Sequence, residues 1–189
     1  KKRKFNKIVI SCDGGAASGK TTGAKLIAKK YRLRFLSSGM LYRYAGFLLL
    51  KYKPKNMTLF LNKRFKNINI EKIKKIKLNS QEVSEYTSKI AKIKKIRNIL
   101  KKFQISFSKK NKFCIIEGRD ISTEILPGSD VKFYFVCSLD KAARRRYIEL
   151  RKNNSKVNFN DVKRSIKMRN YRDKNRKHSP LLKHRDALE

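Results

Sequence analysis

The chain is 189 residues long, within the range of one domain that buries about two-thirds of its unfolded surface. Hydrophobic residues make up 40%, but no run approaches the roughly 18 to 20 apolar residues of a membrane helix, and the longest candidate, around Ala45–Leu50, is far too short. Lys and Arg number 51 against 14 Asp and Glu, a formal charge of +37 that attracts nucleotides or nucleic acid; Lys, Ile and Asn crowd even featureless segments such as Lys72–Lys77, so charge alone separates these partners poorly.

The chain opens on Lys1-Lys2-Arg3-Lys4 with neither an initiator Met nor an apolar signal core, which reads as a cytoplasmic protein lacking its first residues. Lys7–Cys12 is a β-branched run ending at Asp13-Gly14-Gly15 and predicts a buried strand entering a turn. Ala24, Leu26, Ile27, Ala28 and Tyr31 follow Gly19-Lys20-Thr21-Thr22 as a helix. Arg34–Leu36 predicts a short strand, and Met40–Leu50 a helix with Leu41, Ala45 and Leu48 on one face. From Lys53 to Asn79 the pattern turns polar and basic and places no element. Ser80–Phe107 reads as a long helical stretch with Val83, Ile90, Ile93, Leu100 and Phe103 at three-to-four spacing. Lys112–Glu117 and Val131–Cys137 read as buried strands, then Asp140–Lys152 and Asn160–Asp173 as Arg-rich helices with Asp140 and Asn160 as N-caps. Strands alternating with helices imply a parallel α/β sheet. Cys12, Cys114 and Cys137 lack CxxC spacing and sit in apolar runs, which suits reduced core thiols.

Gly14-Gly15-Ala16-Ala17-Ser18-Gly19-Lys20-Thr21, followed by Thr22, fits the phosphate-loop pattern G-x-x-x-x-G-K-S/T. Small residues let backbone N–H groups turn inward around phosphate oxygens, and the following helix adds its N-terminal dipole. Lys20 is placed to reach the β- and γ-phosphates of ATP and the Thr21 hydroxyl to take a position on Mg²⁺. Asp13 offers a carboxylate for a metal-bound water or, equally, a turn-former.

Three further segments narrow the choice. Leu36-Ser37-Ser38-Gly39-Met40-Leu41-Tyr42-Arg43 resembles the D-S/T-G-x-x-Y-R motif of cytidylate kinases, and Glu117-Gly118-Arg119-Asp120-Ile121-Ser122-Thr123 their D/E-G-R-D-I/M-G/S-T. Arg169-Asn170-Tyr171-Arg172-Asp173-Lys174-Asn175-Arg176 with Ser179-Pro180-Leu181 resembles the family's R-x-x-R-D-x-x-R and S/A-P-L lid segment. With the loop, these motifs span about Val9 to Leu188 in the family's order. The resemblance implies a P-loop NTPase fold with a helical CMP-binding insert and a helical lid. Within a single kinase domain, the core would take about 5–37, 112–146 and 180–189, the CMP-binding region about 38–108 and the lid about 147–178. It implies transfer of a phosphoryl group from ATP, with Mg²⁺, to CMP or dCMP in a monomeric enzyme that binds neither membrane nor nucleic acid.

Carried over position by position, the resemblance assigns Ser38, Arg43, Arg119 and Arg176 to the CMP phosphate. It assigns Asp173 to the ribose, with Arg169 in support, and Ser88, Arg97 and Asp120 to cytosine. Lys20, Arg119, Arg172 and Arg176 are the implied catalytic charges, and Arg144–Arg146 is a candidate adenine contact. A carboxylate suits the cytosine amino group and a guanidinium its acceptors, whereas uracil reverses two of those polarities.

Nine residues at about 100° each turn roughly 900°, so an unbroken helix puts Ser88 and Arg97 on opposite faces; if both serve one base, a new helix must start near Ile93–Lys95. Arg97 also lies on the Ile90, Ile93, Leu100 stripe, where a charge needs a partner. His178 and His184 are expected on the surface. The chain departs from the family pattern in three places: Ser37 stands for the usual Asp, Lys53–Asn79 is short for the insert, and Asp186-Ala187-Leu188-Glu189 stops before an expected last strand and helix. Two other readings remain open at this point. One is a P-loop kinase acting on a hydroxyl, as in shikimate kinases, with Asp120 or Asp13 as base. The other is a basic nucleic-acid-binding P-loop protein.

Overall fold

In the computed structural model, which describes residues 6–152 and 156–189, the apolar run after Asn6 forms strand β1, Ile8–Gly14. The basic run Lys1–Lys4, residue 5 of the expected core and residues 153–155 of the expected lid lie outside the described residues. The chain divides into two units, one made of the chain up to Leu36 with Lys112–Glu189, the other of Ser37–Asn111.

In the first unit the sheet runs β2-β3-β1-β4, with β2 at Arg34–Ser37, β3 at Phe113–Glu117 and β4 at Val131–Phe135. β1 pairs in parallel with both neighbours, Ile8 opposite Phe113 and Gly14 opposite Phe135. A central parallel strand is covered on both faces, so β1 and β3 read as continuous apolar runs, not alternating ones. Helix α1, Lys20–Lys30, lays Ala24 and Ala28 onto Ile10, Cys12, Leu33 and Ile115 to make the core. Burial pushes the thiol of Cys12 up to about 12 and that of Cys114 up to about 11, so both are inert core groups, as expected; Cys137 is free and half-buried. At the far edge, Leu188 runs parallel to β4 beside Phe133, accepting from Tyr134 N at 2.7 Å and donating to Lys132 O at 2.9 Å.

Helices α7, Leu139–Arg151, and α8, Phe159–Asn175, pack together around Ala142, Ala143, Val162 and Ile166. Their caps differ from the expected ones. Ser138 and Asn158 are the N-caps, since an acceptor must stand before the free N–H groups: Asn158 Oδ1 accepts from Asn160 N at 2.8 Å and Asp161 N at 3.3 Å. Asp140 sits instead in the first turn of α7 and pairs with Lys163 of α8 at 2.6 Å. A single π-helical turn, Ile121–Ile125, follows β3 and was not foreseen.

The second unit is helical. α2, Ser38–Tyr52, buries Leu41, Ala45 and Leu48 as its spacing predicts, and Ser37 caps it by accepting from Met40 N at 3.2 Å. Between Lys53 and Asn79 lie α3, Met57–Lys66, and α4, Ile70–Lys74, capped by Asn56 and Asn69. Only Leu61, Phe65 and Ile73 are buried in them, too few apolar positions to show a period. α5, Gln81–Ile90, and α6, Lys94–Lys110, replace the single long stretch, and the new start at Lys94 falls where the Ser88 and Arg97 geometry required one. Ile93 drops off the predicted stripe, stands at the N-cap position of α6 with no side-chain bond to it and is 36% exposed. Phe65 joins α3 to α6 through an edge-on contact with Phe103 at 6.1 Å. Among the described residues, no helix is long and apolar enough to cross a membrane.

Candidate active site

The site begins where β1 runs out. Gly14 has φ +151°, and a Cβ there would stand 2.5 Å from Phe135 O, so only glycine fits; Gly19, at φ +91°, turns the chain into α1. Ala17 also takes a left-handed conformation, φ 54°. The loop 14–19 thus winds on itself with its amides ahead of α1, whose N-terminus has no side-chain cap. Among the described residues, Ser18 Oγ is buried without a hydrogen-bond partner. An orphaned hydroxyl and an uncapped helix start are what a bound anion satisfies.

Lys20, the first residue of α1, is 8% exposed and donates from Nζ to Gly15 O at 3.1 Å. Burial pulls its pKa down to about 7; Arg119 and Arg169 push the same way against Glu117 and Asp173. Thr21 is half-buried and Thr22 exposed on the first turn. Asp13 is fully buried: Oδ1 accepts from Ile121 N at 2.8 Å, and Oδ2 from Ser122 N at 2.8 Å and Ser122 Oγ at 2.6 Å. Those bonds hold the π-helical turn, although burial still raises the Asp13 pKa above the ordinary value. Among the described residues, no group of three or more His, Cys, Asp or Glu is arranged to hold a metal.

Arg119 leaves the end of β3 and reaches back to the loop, Nη1 donating to Gly14 O at 2.9 Å while Nε lies 3.4 Å from Asp173 Oδ2. Arg176, at the end of α8, pairs with Asp173 at 3.6 Å and with Asp120 at 3.5 Å and also donates to Ser179 O. Two motifs more than fifty residues apart therefore meet through one carboxylate. Arg169 is half-buried on α8. Arg172 is exposed, its Nε on Met168 O of its own helix at 3.3 Å.

In the helical unit, Ser38 is buried at the start of α2, and Arg43 donates to Asn79 Oδ1. Ser88 is half-buried near the end of α5. Arg97 is 6% exposed, its Nη1 donating to Ala91 O at 3.1 Å and its guanidinium over the Tyr42 ring at 5.5 Å. The charge on the apolar stripe has its partners, of which the Ala91 carbonyl spans the break between α5 and α6 and the Tyr42 ring belongs to α2.

Two residues at the loop make contacts that the sequence reading missed, Arg145, read there only as an adenine contact, and Asn170, not singled out at all. Of the basic cluster 144–146, Arg145 donates to Ser18 O at 3.4 Å, while Arg146 pairs with Glu149 at 2.8 Å. Asn170 accepts from Ala16 N at 2.8 Å. Neither contact has a local signal, since each joins residues more than a hundred positions apart. His178 and His184 are half-buried, not exposed; Asp186 folds back on His184 through its backbone N, 3.2 Å from Nδ1.

The family model for cytidylate kinase matches residues 10–189. The chain belongs to the cytidylate kinase family. The cytidylate kinase of Fusobacterium nucleatum subsp. nucleatum is 37% identical over 98% of this chain and 89% of that protein. Those of Bartonella tribocorum and Fervidobacterium nodosum are 37% and 36% identical, over 92% and 95% of this chain and 81% and 86% of theirs. As a member of the cytidylate kinase family the chain is a nucleoside monophosphate kinase, and its parallel sheet flanked by helices is the P-loop NTPase frame.

Proposed function

We propose that the chain transfers the terminal phosphoryl group of ATP to CMP or dCMP, giving ADP and CDP or dCDP. The observation that carries this reading is the position of Arg119, on the Gly14 carbonyl of the phosphate loop and beside the Asp173 that Arg176 shares. Guanidinium groups that bridge a donor loop and a set of carboxylates are suited to exchange those carboxylates for the oxygens of a second phosphate.

The acceptor is a phosphate oxygen, ionised near neutrality because the second phosphate pKa is about 6, so no general base is required. Catalysis reduces to alignment and to neutralising charge on the transferred group. The loop Gly14–Thr22 would hold the ATP phosphates, with Lys20, Arg119, Arg172 and Arg176 as the stabilising charges. On the acceptor side Ser38 and Arg43 join Arg119 and Arg176 at the CMP phosphate, Asp173 takes the ribose with Arg169 in support, and Ser88, Arg97 and Asp120 read the base. Mg²⁺, when bound, neutralises and orients the phosphates; this chain would hold it by the Thr21 hydroxyl and chiefly through the nucleotide's own oxygens, with Asp13, which keeps one acceptor site beyond its three bonds to the π-helical turn, reaching it through a water.

A coupled assay of ADP release with CMP, dCMP, UMP and AMP tests this. CMP and dCMP are expected to lead UMP by about 10- to 100-fold in kcat/KM, from unpaired polar contacts to the wrong base. Equal turnover of UMP would remove the cytosine assignment.

A further inference from the structure

We propose that Asn170 is a positioning residue for phosphoryl transfer, pinning α8 to the phosphate loop through the Ala16 amide; the proposal rests on the kinase reading above. Asn170 Oδ1 accepts from Ala16 N at 2.8 Å, so one amide of the winding loop is committed to a side chain of α8. The neighbouring glycine makes room for it. A Cβ at Gly15 would lie 3.3 Å from Oδ1 and 3.4 Å from Nδ2 of Asn170, tighter than ordinary contact.

The same stretch of loop is also packed from below. Ala16 shares a cluster with Val162 and Ile166 of α8, with Ala17 at its margin. Val162, Ile166 and Asn170 recur at intervals of four and Asp173 follows three later, so all four lie on one face of the helix. Along that stripe come two apolar anchors beneath the loop, an amide on the loop, and the carboxylate paired with Arg119 and Arg176. Apolar contacts are non-directional and let a helix slide or roll. A hydrogen bond to one backbone N–H sets both its advance and its rotation. Asn170 thereby gives the helix that carries Asp173 its direct bond to the loop, beside the indirect link through Arg119 from Gly14 O to Asp173. A reaction that runs on alignment loses about a hundredfold for a 1 Å displacement.

Asn170→Ala removes the acceptor, whereas Asn170→Asp keeps an oxygen at the same place and adds only charge. The readouts are hydrogen exchange at the Ala16 amide in the nucleotide-free protein, and kcat and KM with ATP and CMP. In Asn170→Ala, Ala16 exchange is expected to rise at least about tenfold while β1 amides keep their rates, and kcat to fall about 10- to 100-fold with the CMP KM within about threefold. Asn170→Asp is expected to restore Ala16 protection and most of kcat, with a higher KM for ATP from the added charge. An Asn170→Ala kcat within about twofold of the parent overturns the proposal, as does an Asn170→Asp kcat equally low with Ala16 protected. Unchanged Ala16 exchange in Asn170→Ala overturns the pin itself whatever the parent's activity. A parent inactive on CMP with faster Ala16 exchange in the variant removes the kinase reading, and with it the positioning role, but leaves the pin.

Discussion

Lys20 shows what a phosphate site costs a protein that must fold without phosphate. Burial lowers its pKa from 10.5 to about 7, so between those values the unfolded chain holds a proton that the folded chain has shed. Stability therefore rises with pH across that window; the burden is full below about 7 and vanishes above the ordinary lysine value. One pKa unit is about 1.4 kcal/mol, which puts the burden on the order of several kcal/mol. Lys20→Met is accordingly expected to be more stable than the parent in urea titrations, most at pH 6 and progressively less towards pH 10. Its phosphoryl transfer should fall at least about a hundredfold, as for loss of a major electrostatic group. A stability gap that does not change with pH would contradict the assignment of the burden to Lys20. At the same scale, Asp13 shows why a residue type in a motif is not yet a role. The sequence offered a metal-bound water or a turn; the fold adds a third task, holding Ile121 and Ser122, 108 and 109 positions away, and leaves one acceptor site for a water.

At the scale of elements, α1 lies so close to β4 that its glycine is a packing residue. A Cβ at Gly23 would stand 2.5 Å from the Phe135 ring. Helix propensity alone favours Gly23→Ala by about 1 kcal/mol, but overpacking costs about 1–3 kcal/mol. The single variant is expected to be destabilised in chemical denaturation and rescued by Phe135→Leu; strictly additive effects would show that the two do not touch. Long, strongly periodic or β-branched elements were legible: β1, α1, α2, β3 and β4 fall within a few residues of their predicted places. The helix break was legible too, although from the demand that Ser88 and Arg97 share a base and not from any Gly or Pro. α3 and α4 were not, because only three of their side chains are buried, and the caps of α7 and α8 were misplaced because two candidate acceptors stand within two residues of each other.

Over the whole molecule the dominant fact is 51 basic residues against 14 acidic ones. Charge of one sign draws nucleotides in but repels itself in the compact state, and salt screens both beyond about 10 Å at 0.1 M. Raising NaCl from about 0.02 to 0.3 M is therefore expected to raise Tm by several degrees and the KM for both nucleotides severalfold, with kcat little changed. A Tm that is flat or falls with salt would show that self-repulsion is not a significant load. The sequence by itself determined the phosphate loop, the parallel α/β frame and the family, because those depend on short-range chemistry: glycine where φ is positive, small residues where amides must converge, and ordered motifs. Only the tertiary structure decided which side chains meet. The bonds of Asp13 to the π-helical turn, of Arg119 to Gly14 and Asp173, and of Asn170 to Ala16 each join residues 50 or more positions apart. No local pattern encodes such a pairing; it follows from where the sheet brings its loops.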